Sequence, residues 1–286
     1  MIELSTDGGA VVRDLDHEEY TRHPALSASG AKTLVQPGGP ARYAYERDNG
    51  RPPKDAYDLG TAAHNAVLGV GPDLAVLTFL DWRTKEARQA REEARAAGRV
   101  PLLVDDAQRV ADMAAALQQH PIASRLLHPD TGEPEVSLFW RDPEHDVDRR
   151  ARVDWLRRPD PDGRLILVDY KTTSTGAAPA DFARSVARYG YAQQAAWYAD
   201  LVVGLGLARS APFVFIAQET TAPYLVSVVQ LDEPAMEAGR ALNRKAMRLF
   251  RQCTDSGVWP GLTEDEIATI SLPPWALSAA YEDEPW

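Results

Sequence analysis

Four consecutive apolar residues, Leu165-Ile166-Leu167-Val168, run directly into Asp169-Tyr170-Lys171, and few folds accept both halves of that segment. A short, unbroken apolar run bounded by turn residues suits a central strand covered on both faces. An acid and a base at the end of such a strand cost desolvation unless they are paired or used. Side chains alternate along a strand, so Asp169 and Lys171 share one face while Tyr170 enters the opposite layer. The segment therefore asks for a sheet buried between helices, with a charged pair at the end of a central strand. The plain alternative, an exposed edge-strand ion pair with Asp154 in a turn, fits the apolar run poorly.

The flanking sequence fits that frame. Alanine-rich stretches with apolar residues three and four apart predict helices over 58–70 and 105–120, so the first half is mainly helical. Short β-rich runs at 135–141, 150–156 and 165–171, separated by Pro, Asp and Gly, predict a three-strand meander. One long helix is predicted over 181–205, strands over 212–218 and 224–231, and a last long helix over 234–253. The order gives an α/β fold with a mixed central sheet flanked by helices. No repeat or low-complexity linker divides the chain, so 1–286 reads as a single domain, with 1–25 and 276–286 as peripheral extensions.

Within the meander, Asp154 precedes Asp169-Tyr170-Lys171 by fourteen intervening residues, and adjacent strands can bring the carboxylates together. Two carboxylates, the Tyr170 backbone carbonyl and open positions for water suit an octahedral Mg²⁺ or Mn²⁺. Lys171 adds a cation that can stabilise a phosphorane or orient a water. Cys253 is the single cysteine, so an iron–sulfur cluster and a thiolate zinc site are excluded. Any metal is held by oxygen and nitrogen.

The net charge of −11 argues at first sight against a nucleic-acid partner. The acids are concentrated at the ends, however: residues 1–20 carry six acids and one base, and 255–286 carry seven acids and no base. Basic residues cluster in 83–99 and at Arg240, Arg244, Lys245, Arg248 and Arg251, where solvated helix faces are the competing reading. No apolar run reaches the length of a membrane span, and Met1–Ala10 lacks the pattern of a secretory signal. A soluble, cytoplasmic protein is the expectation.

Taken together, Gly60 to His64 (G-x-x-x-H), Val153 to Leu156 (VDWL), Asp169 to Thr173 (DYKTT) and Tyr189 to Tyr198 (YGYAQQAAWY) resemble the RecB-like branch of the PD-(D/E)XK nucleases. The likeness is greatest to the phage RecE-type (exonuclease VIII) group. LSASGAKTLVQPGGPARY near the start and ISLPPW near the end resemble its flanking segments, so the resemblance runs from about Leu26 to Trp275. It implies a restriction-endonuclease-like core, with metal binding at His64, Asp154 and Asp169 and catalysis by Lys171. It also implies substrate or supporting roles for Gln194 and Tyr198, which lie four apart on one helix face and by themselves read as core packing. Val153 stands where the family name has Pro, and Asp169 is the acid of the D-x-K. Glu135, opening the first strand, is either a further acidic ligand or a strand-edge charge.

The implied activity is Mg²⁺-dependent exonuclease digestion of linear double-stranded DNA, giving single-stranded tails for phage-type recombination. The implied partners are double-stranded DNA and a single-strand annealing protein, with a ring-shaped homo-oligomer and a phage or bacterial setting. Two alternatives remain: a RecB-like nuclease acting on single-stranded or flap DNA within a larger repair complex, and a catalytically silent DNA-binding protein on the same fold. The presence of Asp154, Asp169 and Lys171 argues against the second.

Overall fold

The structure, a computed structural model, describes residues 3–4, 9–50, 55–263 and 267–281. Chain order begins β1 (Glu3–Leu4), β2 (Gly9–Val12), α1 (His17–Arg22), β3 (Leu26–Ser27), α2 (Ala28–Leu34), α3 (Gly39–Asn49) and α4 (Asp55–Leu68). Next come β4 (Leu74–Leu77), α5 (Lys85–Ala96), β5 (Val100–Leu103), α6 (Val104–Gln119) and α7 (Ala123–Leu126). The meander is β6 (Gly132–Asp142), β7 (Val147–Arg157) and β8 (Leu167–Thr173). It leads to α8 (Pro179–Tyr189), α9 (Tyr191–Gly204), β9 (Phe213–Glu219), β10 (Val226–Gln230), α10 (Glu233–Ser256) and α11 (Pro274–Tyr281).

The main sheet runs in the order β1-β2-β6-β7-β8-β9-β10, with β3 also beside β7. Pairing is parallel between β8 and β9 and between β3 and β7, and antiparallel elsewhere. This is the mixed sheet expected. Gly9–Val12, part of the N-terminal extension, lies along β6 near the sheet edge. The end of the C-terminal extension, beyond 281, lies outside the described residues.

The central strand is covered on both faces, as its apolar run requires. Leu167, Phe213 and Phe215 pack with Phe182, Trp197 and Met247 in one layer. Val168, Tyr170, Val214 and Ile216 pack with Ala63, Met113 and Leu117 in the other. On the first face, α9 and α10 lie so close that a Cβ at Gly239 would stand 2.2 Å from the Ala192 carbonyl oxygen, so only glycine fits there.

Two differences from the sequence expectation have physical causes. The single helix predicted over 181–205 is two helices, broken at Gly190, whose φ of 65° ends α8 and starts α9. Periodicity continues across the break because both helices present apolar faces to the same sheet, and so hides it. The two-stranded parallel sheet β4–β5, which packs through Val100 and Leu102 against Ala62 and Val110, is also unanticipated. Its second strand contains Pro101, a residue that demotes a strand reading.

Candidate metal centre

The site lies where two strands part. β7 and β8 pair at Trp155 with Val168 and Leu156 with Leu167, and toward Asp154 the ladder goes no further. Beyond the fork the Tyr170 amide donates to Asp154 Oδ2 at 3.0 Å, so a carboxylate replaces the strand carbonyl. The opening lets groups from both helical layers meet. His64 enters from α4 on one side, and Gln194 enters from α9 on the other.

β6 supplies the third acid. Its register pairs Pro134 with Trp155 and Val136 with Val153, which sets Glu135 opposite Asp154. Glu135 has a φ of 51°, a left-handed backbone that costs a residue with a Cβ roughly 1–2 kcal/mol. Strain of this kind at a cluster of carboxylates is a feature of functional sites. His64 Nε2 stands 3.2 Å from Asp154 Oδ2 and 3.6 Å from Glu135 Oε1. One ligand atom from each of His64, Glu135 and Asp154 lies within 4.8 Å of the other two.

Asp169 is 1% exposed and is held from two directions. Gln194 Nε2 donates to its Oδ1 at 2.7 Å. Lys171 Nζ is 2.5 Å from its Oδ2, yet that oxygen has no aligned hydrogen-bond donor. A buried carboxylate paired with a lysine, beside a His/Glu/Asp group at ligand spacing, fits a divalent cation. The donor set is hard oxygen plus one imidazole, which suits Mg²⁺ and Mn²⁺ alike.

The electrostatics are those of a site with surplus negative charge. Burial and the neighbouring Asp154 carboxylate push Glu135 up. Burial also pushes Asp169 up to about 6, with Lys171 pulling against it and Asp154 adding to it. Burial would raise Asp154 too, but His64, Lys171 and the Tyr170 amide outweigh it and hold Asp154 low. His64 is raised, because Asp154 and Glu135 together overcome the effect of burial. Lys171 is likewise raised by Asp169 and Asp154 against its burial, and stays protonated.

His64, Asp154, Asp169 and Lys171 are therefore brought together, and Glu135 joins them. Tyr170 places its ring in the opposite layer, where its hydroxyl donates to Gln218 Oε1 at 2.6 Å. Gln194 reaches a carboxylate, whereas Tyr198 packs edge-on against Phe213 in the core. Arg152, 3.7 Å from Glu135 Oε2, is a neighbour that sequence reasoning missed. Tyr191 is another neighbour, with Lys171 Nζ 5.3 Å from its ring centroid.

The basic clusters are less free than they read. On α10, Arg240 pairs with Asp200 and Glu233, Arg244 with Glu237, and Arg251 with Asp146 and Asp255. On α5, Arg95 pairs with Asp58 and Glu92. Among the described residues, no helix is long and apolar enough to cross a membrane.

Comparison with known proteins agrees with this fold. A candidate exonuclease from Eubacterium rectale has the same fold, with a TM-score of 0.60 at 14% identity over 94% of this chain and 99% of its own. A phage-related exonuclease from Haemophilus somnus 129PT matches over 82% of this chain and 97% of its own, at 10% identity and a TM-score of 0.33. No curated protein matches the chain. The family model described as a PDDEXK-like domain of unknown function (DUF3799) matches residues 27–269, and the chain belongs to that family and, through it, to the PD-(D/E)XK nuclease superfamily.

Proposed function

We propose that this protein is a divalent-metal-dependent exodeoxyribonuclease that digests linear double-stranded DNA and leaves single-stranded tails for recombination. The observation that carries the metal-dependent hydrolase reading is the fork. Glu135, Asp154 and His64 converge on one side of it, and Asp169 with Lys171 closes the other. The His64/Glu135/Asp154 group, with the neighbouring Asp169 carboxylate, would hold Mg²⁺ or Mn²⁺. When bound, such an ion acidifies a water and offsets charge on a phosphate.

The remaining work falls to side chains of this protein. Lys171, kept protonated by two carboxylates, is a fixed cation available to a phosphate whose charge rises in the transition state. Gln194 pins Asp169 through Oδ1 while Lys171 stands at Oδ2, so the carboxylate is oriented before anything binds. Glu135 is a second carboxylate beside His64, 3.6 Å from Nε2 where Asp154 is 3.2 Å away.

Action from DNA ends, on double strands, with an annealing protein as downstream partner and in a ring of copies, is supported by the motif resemblance. The Eubacterium rectale neighbour, itself described as an exonuclease, supports the end preference. End-labelled linear duplex and covalently closed circles, each incubated with and without Mg²⁺, test the reading. Linear DNA should be shortened from its ends, circles should survive, and chelator should stop the reaction. Efficient nicking of circles would make the protein an endonuclease, and activity in excess chelator would remove the metal from the reading.

A further inference from the structure

Beside the fork, the break at Gly190 does something that a continuous helix could not. Tyr189 is the last residue of α8 and Tyr191 the first of α9, and the left-handed turn between them lays the two rings side by side, centroids 5.7 Å apart. On one straight helix, residues two apart point in different directions and do not face each other. Gly190 also clears a path for a cation. A Cβ there would stand 3.0 Å from Lys32 Cδ, and Lys32 Nζ lies 5.7 Å from the Tyr191 ring centroid and 3.3 Å from the Tyr189 carbonyl oxygen.

The ledge joins the site through Tyr191, whose ring centroid is 5.3 Å from Lys171 Nζ. Tyr189 is one ring further out and 50% exposed. Arg188 Cζ lies 5.6 Å from the Tyr189 ring centroid. An exposed aromatic with an arginine over its ring and a lysine at its backbone carbonyl, one aromatic ring out from Lys171, is the kind of arrangement that holds single-stranded nucleic acid. The ring stacks on a base whatever its identity, and the cations face the backbone.

We infer that Tyr189 is a stacking seat for the base next to the scissile phosphate, with Lys32 and Arg188 as its phosphate contacts. Tyr191 is a positioning residue that carries Lys171 on its face. The inference rests on the nuclease reading above and adds a substrate contact to it. It also assigns the substrate strand a local state: at the fork, at least one base is unpaired and lies against Tyr189.

The test is a binding cycle that a structural role for Tyr189 would not reproduce. Binding to linear duplex is measured by fluorescence anisotropy in Ca²⁺, which takes oxygen ligands but activates water less well than Mg²⁺. The DNA carries a normal nucleotide or an abasic one at each of the first three positions from either end. For the parental protein, one abasic position should weaken binding about tenfold, the scale of a single base–aromatic stack. Tyr189→Ala should show that weaker binding with every DNA and no longer sense the abasic position, and Tyr189→Trp should restore the difference. In Mg²⁺, Tyr189→Ala should raise KM more than it lowers kcat. Additive effects of the two changes, or no effect of either, would overturn the stacking seat while leaving the nuclease intact. Parental protein that neither binds nor cuts DNA would instead overturn the nuclease reading, and this inference with it.

Discussion

The β6–β7 hairpin carries buried charge at both ends, and the two ends treat it differently. At the turn, Asp142 accepts from the backbone amides of Glu144 and His145, from Arg149 Nη1 at 3.1 Å, and lies 3.2 Å from His145 Nδ1. Arg149 gives its Nη2 to the Trp197 carbonyl oxygen and lies 4.1 Å from one indole and 5.5 Å from another. Only its Nε lacks an acceptor. Burial pushes Asp142 up, but these donors more than reverse it and hold its carboxyl low. At the fork, three carboxylates share one histidine, one lysine and, 3.7 Å from Glu135, Arg152, yet two of the three are still pushed up. Buried charge alone therefore marks nothing; carboxylates that stay pushed up despite the cations beside them mark a site.

That contrast is broken most severely at the closed end. Arg149→Ala leaves Asp142 buried without its cation, and losing one partner of a buried pair costs about 3–5 kcal/mol. Urea unfolding should register that loss, and Arg149→Met combined with Asp142→Leu should recover much of it, because the charge to be paired is gone. A folded Arg149→Ala protein with normal stability but no Mn²⁺ affinity would mean that the two ends do not differ in kind.

The open end should fail in activity. Lys171→Ala removes the fixed cation and should slow turnover by roughly 10²–10³, about 3–4 kcal/mol. Mn²⁺ should bind it as well or better, since a positive charge has left the site. Asp169→Ala should lose turnover and Mn²⁺ affinity together. Calorimetric Mn²⁺ titration beside cleavage rates, with circular dichroism for folding, separates the two. Parental rates in both variants would reduce Asp169 and Lys171 to a structural ion pair.

How legible each end was in the sequence follows from what holds it. Asp154, Asp169 and Lys171 could be read because an unbroken apolar strand cannot carry charge at its end without reason, and the meander was set by turn residues. Glu135 could be read only as an acid at a strand start. Its role depends on a positive φ and on standing opposite Asp154, which register and strain decide. Gln194 and Tyr198 looked equivalent on one helix face, yet only Gln194 hydrogen-bonds a carboxylate, while Tyr198 packs edge-on against Phe213. The break at Gly190 was hidden because apolar periodicity runs across it, and the buried Arg149 cluster because contacts distant in sequence build it.

Gln194 gives a smaller, sharper test, because it acts through Asp169. Gln194→Ala removes the donor to Oδ1, and loss of such an outer hydrogen bond at a metal site costs about 10–100-fold in affinity or activity. Tyr198→Phe, in the core beside it, should cost less on both counts. Equal losses in the two variants would mean that the Gln194–Asp169 bond does not orient the carboxylate.

The smallest effect is a pH dependence confined to the open end. Burial and Asp154 raise Asp169 to about 6 against the pull of Lys171, and His64 is raised above its ordinary value by Asp154 and Glu135 against burial. As pH falls through that region both groups take up protons that compete with a cation, while Asp154, held low, stays ionised. Mn²⁺ affinity should thus be greatest near pH 8 and fall by about tenfold or more per pH unit below 6. At saturating Mn²⁺ each tenfold is worth about 1.4 kcal/mol of stabilisation, or a few degrees in Tm. The sign is set by which species is stabilised. A carboxyl raised above its unfolded value favours the folded, metal-free protein in acid and loses that contribution as pH rises through about 6, so the cation gains most where the bare site is least content. Asp142, held low, does not titrate in this window and contributes nothing to the response. Thermal unfolding with and without Mn²⁺ from pH 5.5 to 8 measures the difference directly, and a Mn²⁺ shift independent of pH would exclude Asp169 and His64 as its ligands.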